Sequence, residues 1–179
     1  PDVYIGSTRS RQVDDYVVTN DKEDEHKLKI VKKNISVSPA ILRIFIEPLS
    51  NAIDNLARSK QNGIKASKIC INVNAETGET SFWNDGEVIP IELHPEEKCY
   101  NHSMIFGQLL TSSNYDDDED RIDISGKNGI GIKATGIFST KITVEGVDPK
   151  NEKKLIQTWT DNLNSTSDPK VTSCKLKKG

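Results

Sequence analysis

The sequence is poor in cysteine, in aromatic residues and in long apolar runs, and these shortages exclude several classes of protein. Its three cysteines, Cys70, Cys99 and Cys174, are odd in number and lack metal-ligand spacing. That usage predicts reduced thiols in an intracellular protein rather than a disulfide framework. No apolar stretch reaches the length of a membrane span or has the form of a signal peptide, so we expect no membrane partner.

An excess of positive charge is missing too. The formal net charge is −3 at pH 7, whereas a nucleic-acid-binding surface needs clustered Lys and Arg to neutralise phosphates. We therefore do not expect this chain to be the main holder of DNA. Its 179 residues, 34% of them hydrophobic and 28% charged, suit one soluble α/β domain with long polar loops. A start at Pro1, without an initiator methionine, suggests a fragment.

A helix is predicted from Ser38 to Arg58. Ser38 suits the N-cap and Pro39 the first helical position. Pro48 lies in the helix interior, where proline removes a backbone donor, so we expect a kink. The apolar residues recur at spacings of three and four, which indicates a buried face; they are Ile41, Ile44, Phe45, Leu49, Ala52, Ile53 and Leu56.

The same helix carries a polar row. Glu47, Asn51 and Asn55 stand four residues apart, which stacks a carboxylate and two amides on one face. Such a row forms either a solvated helix edge or one wall of a polar site. The helix alone does not decide between the two.

The clearest hairpin runs through residues 69–73 and 80–83, where apolar and polar residues alternate around a turn at Gly78. It ends at Asn84-Asp85-Gly86, a polar turn at a strand end, where ligands commonly bind. Further strands are expected at residues 15–18, 28–31, 141–145, 154–160 and 171–176, and helices at 103–110 and 134–138. The sheet should be mostly antiparallel.

A glycine-rich loop, residues 126–133, precedes the last predicted helix. Three glycines in six residues let backbone N–H groups approach a ligand closely, which suits a phosphate. The loop lacks the Gly-Lys-Ser/Thr of a Walker A motif and does not directly follow a strand as a Rossmann loop would. An ordinary junction between loop and helix is the alternative.

Taken together, Glu47-x-x-x-Asn51, Asn84-Asp85-Gly86, the Thr111 to Asn114 segment and the 126–133 loop resemble the GHKL ATPase family, and within it eukaryotic-type (type IIA) DNA topoisomerase II. The run from Ile105 to Glu119 is similar to the family nearly letter for letter. The resemblance covers almost all of residues 1–179. It implies one GHKL (Bergerat) ATPase domain, lacking an N-terminal strap and a transducer domain, of α+β class: a two-layer sandwich with helices packed on a mixed, mostly antiparallel sheet.

The resemblance also assigns roles. It implies that Glu47 is the general base, that Asn51 holds Mg²⁺ among the phosphates of ATP, and that Asn84 reads the adenine amino group. The remaining implied nucleotide-binding residues are Asn55 and Arg58 near the phosphates; Ile89, Pro90, Ile105 and Phe106 as pocket walls; Ser112, Ser113 and Asn114 at the ribose and α-phosphate; and Gly126, Lys127, Asn128, Gly129, Ile130, Gly131 and Lys133 around the β- and γ-phosphates.

The function implied is the ATP-hydrolysing N-terminal gate of a type II DNA topoisomerase, which passes one duplex through a break in another. We expect DNA to bind through the full-length enzyme, which is a homodimer, and this piece to be a monomer with little or no hydrolysis of its own. The nucleus is the expected location, or the host cytoplasm if the source is a large DNA virus. The alternative is a related clamp or scaffold that uses ATP as a switch with little turnover.

Overall fold

A 23-residue helix, α1 (Pro39–Gln61), is the longest element in residues 5–24, 26–108 and 131–175, the ranges that the computed structural model describes. The predicted start is confirmed, with the Ser38 hydroxyl accepting the Ile41 N–H at 3.5 Å. The helix is continuous through Pro48, and the expected kink stays a prediction. It ends three residues later than predicted, where Gly63 adopts a φ of 74° that terminates a helix readily.

Two compact units divide the chain, Pro1–Phe45 and Ile46–Gly179. The first unit holds β1 (Arg11–Asn20) and β2 (Leu28–Val37), which pair antiparallel from Arg11↔Val37 to Asn20↔Leu28. Both predicted strands are present, and both are longer than predicted. Most residues of the hairpin are exposed, so charged residues can occupy strand positions without a burial cost. A prediction based on alternating apolar residues therefore underestimates the length of both strands.

The second unit contains the remaining sheets. β3 (Ile69–Asn74) and β4 (Glu79–Asn84) form the predicted hairpin. β5 (Lys141–Asp148) pairs with β6 (Lys153–Thr160), whose other edge carries first β7 (Ser165–Thr166) and then β8 (Lys170–Ser173). Every strand pair within the described ranges is antiparallel. Helices combined with antiparallel strands agree with the predicted α+β class.

Strand β6 anchors the second helix, α2 (Asn101–Gly107). The Ser103 hydroxyl donates to the side-chain oxygen of Gln157 at 2.7 Å, and Gln157 is buried. Gly107 lies against the buried indole of Trp159, so closely that a Cβ at 107 would be 2.8 Å from Cε2 of the ring. The missing side chain is therefore what lets the helix end on the ring. The sequence predicts this helix at 103–110, whereas in the structure it begins two residues earlier and ends at Gly107.

The third helix, α3 (Gly131–Ile137), packs against α2. Its carboxyl end is covered by a loop in which Asp161, Asn162 and Leu163 all have positive φ. The Asn162 side chain donates to the carbonyl of Ile137 at 2.6 Å, and Leu163 covers the face of Gly136. These contacts hold α3 in position at its far end.

A buried histidine of α2, His102, interacts electrostatically with a buried aspartate at the end of β5, Asp148. His102 is 2% exposed, its Nδ1 has no hydrogen-bond partner in the described part of the chain, and a Cβ on Gly146 would lie 2.5 Å from its Nε2. Burial lowers the pKa of His102, and the charge of Asp148 offsets this only in part. Burial acts to raise the pKa of Asp148, but hydrogen bonds from Ile91, Asn151 and Lys150 lower it overall.

We expect the chain to lose stability as the pH falls below about 6.5. A histidine whose pKa is lowered by folding stays neutral in the native state while the unfolded chain takes up a proton, so the free energy of unfolding decreases on acidification by up to about 1.4 kcal/mol per pH unit. Asp148, with a lowered pKa, loses its contribution only at more acidic pH. Thermal unfolding at about pH 7.5 and about pH 5.5 measures the effect.

The matched variants for this measurement are His102→Leu and His26→Leu. His102→Leu should show a smaller loss between the two pH values, whereas His26→Leu, which changes an exposed loop residue, should behave as the parent. Equal pH dependence in all three chains would contradict the assignment to His102.

Candidate functional site

The polar row of α1 lies at the edge of the core of the second unit. Glu47, Asn51 and Asn55 are all half-buried, and the neighbouring Ala52 is 2% exposed. The predicted geometry is therefore present: one helix face carries a carboxylate and two amides beside buried apolar groups. The polar row is therefore not a fully solvated helix edge.

Glu47 contacts the last glycine of the predicted phosphate loop. A Cβ placed on Gly131 would collide with the carboxylate and lie 2.7 Å from its carboxyl carbon. Gly131 is also the first residue of α3. Two segments that are 84 positions apart in the sequence thus meet at a point where an added Cβ would displace the Glu47 side chain.

The turn after β4 is held against α1 by an asparagine pair. The Asn55 Nδ2 atom donates to Asn84 Oδ1 at 2.8 Å and to the carbonyl of Glu87 at 3.0 Å. The backbone N–H of Gly86 donates to the same Asn84 oxygen at 3.0 Å. A Cβ at position 86 would come within 2.5 Å of the Asn55 nitrogen, so the close approach requires glycine.

Two further groups support this turn. Ser59, which is fully buried, donates its hydroxyl to the Asn55 carbonyl at 2.6 Å and accepts the Glu87 N–H at 2.7 Å. The Asp85 carboxylate accepts the N–H groups of Ser67 and Lys68. The hydrogen bond from Lys68 is the largest cause of a lowered pKa at Asp85, so this carboxylate is ionised and ties the turn to the start of β3.

Sequence reasoning missed Ser59. It stands four residues after Asn55 and therefore continues the row of Glu47, Asn51 and Asn55 by one more step. Extending the row past the predicted end of the helix would have found it. The prediction stopped at Arg58, whose guanidinium donates to Asn55 Oδ1 at 3.1 Å.

The predicted pocket walls come from two segments that the structure ties together. Ile105 and Phe106 are half-buried on α2, Ile89 is half-buried and Pro90 is exposed. At the start of α2, the Asn101 side chain donates to the carbonyl of Pro90 at 3.2 Å. This bond joins the 89–90 segment to the helix that carries the other two wall residues.

Lys133 lies one helical position from the core residues Ile132 and Ala134 and is itself half-buried. Burial lowers the pKa of its ammonium group. An anion near this amine would compensate the lost hydration. Eight other predicted residues lie outside the described ranges: Ser112, Ser113, Asn114, Gly126, Lys127, Asn128, Gly129 and Ile130.

A metal site made by protein groups alone is not found within residues 5–24, 26–108 and 131–175, where no three His, Cys, Asp or Glu side chains cluster. The amide oxygen of Asn51 is a hard donor of the kind Mg²⁺ accepts. A magnesium ion with few protein ligands and several phosphate oxygens fits this donor set. None of the helices in these same ranges is sufficiently long and apolar to cross a bilayer.

No protein-family model matches the sequence, but individual proteins do. The chain is 44% identical over its whole length to DNA topoisomerase 2 of Invertebrate iridescent virus 6, of which it spans 16%. It is 42% identical to DNA topoisomerase 2 of Candida glabrata, covering 98% of this chain and 12% of the relative. The crystal structure of the ATPase region of Saccharomyces cerevisiae topoisomerase II superposes with a TM-score of 0.82 at 38% identity, covering 99% of this chain and 44% of that one.

We expect Gly86→Ala to destabilise the chain by about 1–3 kcal/mol, because the added methyl group separates Asn55 from Asn84 and leaves their amides unpaired. Urea denaturation followed by circular dichroism measures the change. The control is Gly63→Ala, since a Cβ at residue 63 meets no atom within 4 Å and adds only the strain of its positive φ, about 1 kcal/mol. An equal or smaller loss at residue 86 would contradict the asparagine clamp.

Proposed function

Because the chain belongs to the family of ATPase domains of type II DNA topoisomerases, which have the GHKL fold, we propose that it binds ATP with Mg²⁺ and supplies the general base that activates the attacking water. The observation that supports this most directly is the contact between the Glu47 carboxylate and the Gly131 backbone. It joins the proposed base to the last glycine of the loop proposed to surround the phosphates.

Glu47 acts as the general base in this proposal. Its carboxylate orients a water molecule in line with the γ-phosphoryl group and takes up the proton as the oxygen attacks. Helix packing on one side and Gly131 on the other restrict the rotamers of the side chain. A base held in this way begins each reaction in position, which lowers the reorganisation needed.

Charge on the phosphates is neutralised by several groups. Asn51 contributes an amide oxygen to Mg²⁺, which, when bound, withdraws charge from the phosphate oxygens. Lys133 supplies an ammonium group whose pKa is lowered by burial, and Arg58 lies one turn from Asn55. The loop residues 126–130, together with Ser112, Ser113 and Asn114, are proposed to complete the phosphate and ribose contacts.

The adenine base is proposed to lie at the turn after β4. Asn84 reads its amino group, and Ile89, Pro90, Ile105 and Phe106 enclose its ring. The bond between Asn101 and Pro90 supports this arrangement, because it holds the two wall segments next to each other. Asn55 donates to Asn84, and its predicted phosphate contact stays a prediction.

At the level of the whole enzyme, we propose an ATP-operated gate that closes around a DNA segment during duplex passage. The DNA and the homodimer partner are proposed to meet parts of the enzyme outside this chain, and the chain by itself to be monomeric. Relatives are found both in eukaryotes and in viruses, so the proposed location is the nucleus, or the host cytoplasm for a viral enzyme.

A second candidate is a nucleotide-operated clamp with little turnover. It is favoured by Pro48, which directly follows the proposed base inside α1 and removes a backbone donor there. The kinetics of a Glu47 variant distinguish the two candidates.

Calorimetric titration of this chain with a non-hydrolysable ATP analogue and Mg²⁺ tests the proposed function. We expect saturable binding at one site, weakened when Mg²⁺ is omitted because the phosphate charge is then opposed only by Lys133, Arg58 and the loop. A titration without heat of binding, repeated in competition format, would refute ATP binding.

In the intact enzyme that carries this chain, we expect Glu47→Gln to reduce ATP turnover by about 10²–10⁴-fold, since the amide keeps the shape of the side chain but cannot take up a proton. Nucleotide affinity should stay within about threefold of the parent, a change below about 1 kcal/mol. Unchanged slow turnover in the variant would support the clamp instead.

A further inference from the structure

Asp148 is a buried carboxylate at the end of β5 that the proposed chemistry does not use. We propose that Asp148 is a positioning residue for the base of the nucleotide, because it holds the 89–90 segment at a fixed distance from Phe106 of α2. This inference rests on the proposed function, since it requires these wall residues to enclose the base.

The carboxylate binds the backbone directly after the 89–90 segment. Asp148 Oδ2 accepts the N–H of Ile91 at 3.0 Å, and the Ile91 side chain is fully buried. Because Pro90 has no N–H of its own, the N–H of Ile91 is the first main-chain donor after the two wall residues. This bond therefore ties the wall segment to β5 at its nearest available group.

Strand β5 also supports the wall residue of α2, two positions before Asp148. Residues 146 and 148 face the same side of the strand, since successive residues alternate, and both are buried. The imidazole of His102 lies over Gly146, where a Cβ would be 2.5 Å from Nε2. The same ring stacks on Phe106 with 6.5 Å between the ring centroids, a separation at which aromatic pairs attract.

Both wall segments are thus supported by the last three residues of one strand. β5 pairs with β6 along its whole length, up to Asp148↔Lys153, so its backbone is held by a ladder of hydrogen bonds. The distance between the two supports follows from strand geometry, at about 3.3 Å per residue. Two supports at a fixed distance set the width of the space between the walls, which a planar base has to match.

The Asp148 carboxylate is itself held in one orientation. Its Oδ1 accepts the N–H groups of Lys150 and Asn151 at 3.0 and 3.1 Å, and its Oδ2 accepts the Asn151 side chain at 2.8 Å besides the N–H of Ile91. Burial acts to raise the pKa of Asp148, but these bonds lower it overall, so the group is ionised at neutral pH. A carboxylate with four donors cannot rotate without losing bonds to buried groups.

The variant Asp148→Asn separates the two tasks of this side chain. Its remaining oxygen can still close the turn by accepting from Lys150 and Asn151, whereas its NH₂ group sets a donor against the N–H of Ile91. Asp148→Ser is the second variant, because its hydroxyl can close the turn but is too short to reach Ile91. Neither variant changes a residue proposed to contact the phosphates.

The matched control is Asp21→Asn. Asp21 also closes a turn by accepting the N–H two residues later, that of Glu23, at 3.0 Å. It belongs to the first unit, which carries none of the proposed wall residues. The control therefore reproduces the loss of a turn-closing carboxylate without the loss of the bond to Ile91.

Two quantities are compared for the parent and the variants, at a temperature where thermal unfolding shows each of them folded. The first is the ratio of the affinities for a non-hydrolysable ATP analogue and for inorganic tripolyphosphate, both with Mg²⁺, the latter measured by displacement of the analogue. The second is amide hydrogen exchange over residues 89–93 and over α3, without nucleotide.

For both Asp148 variants we expect the ATP affinity to fall by about tenfold, because a buried N–H loses a charged acceptor and the wall is released. The tripolyphosphate affinity should stay within about twofold of the parent. Exchange should become faster over 89–93 and stay unchanged over α3. Asp21→Asn should match the parent in both measurements.

An unchanged affinity ratio, or exchange that accelerates equally in both stretches, would overturn the positioning role and leave the proposed function standing. A parent chain that binds no ATP analogue would overturn the proposed function and this inference with it. If tripolyphosphate does not displace the analogue even from the parent, the ATP affinity and the exchange decide, and an unchanged ATP affinity counts against the role. Should one Asp148 variant fail to fold, the other carries the comparison.

Discussion

The contact between the Glu47 carboxylate and the bare backbone of Gly131 is the constraint on which the candidate site depends. The long helix α1 carries the Glu47 carboxylate, and the short helix α3 begins at Gly131, where that carboxylate makes contact. A side chain at residue 131 would push the acid away from this position. Proteins place a reactive group most accurately on regular elements whose packing leaves few alternatives.

The same helix organises the other end of the site through hydrogen bonds rather than through steric contact. One turn after Asn51, Asn55 donates to Asn84, and one turn further Ser59 binds the backbone of Glu87. The row of four residues on α1 thus runs from Glu47, the proposed general base, to the turn after β4, which is proposed to contact adenine. In the proposed site, a single helix face would therefore set the spacing between the two ends of the nucleotide, at about 1.5 Å per residue.

Much of this arrangement was readable from the sequence, because it depends on local periodicity. The start of α1 at Pro39, the hairpin ending at Asn84 and the spacing of Glu47, Asn51 and Asn55 all follow from patterns within one element. The contacts that these residues make with distant segments could not be predicted in this way. That Gly131 meets Glu47, that Asn101 bonds to Pro90 and that Gln157 holds Ser103 are contacts between distant segments, and short-range patterns carry no information on them. The length of β1 and β2 was underestimated for another reason: most of their positions are exposed, so charged residues such as Asp15 and Lys33 interrupt the apolar pattern without ending the strands.

The end of α2 against Trp159 has an optical consequence. The indole of Trp159 is buried at 3% exposure beneath Gly107, whereas Trp83, the other tryptophan of the chain, is 53% exposed. Indole emission shifts to longer wavelength as water gains access to the ring, so the two chromophores have different spectra. A displacement of α2 would change the short-wavelength component alone. The molecule therefore contains an internal reporter of the helix that carries Ile105 and Phe106, and a second indole that serves as its reference.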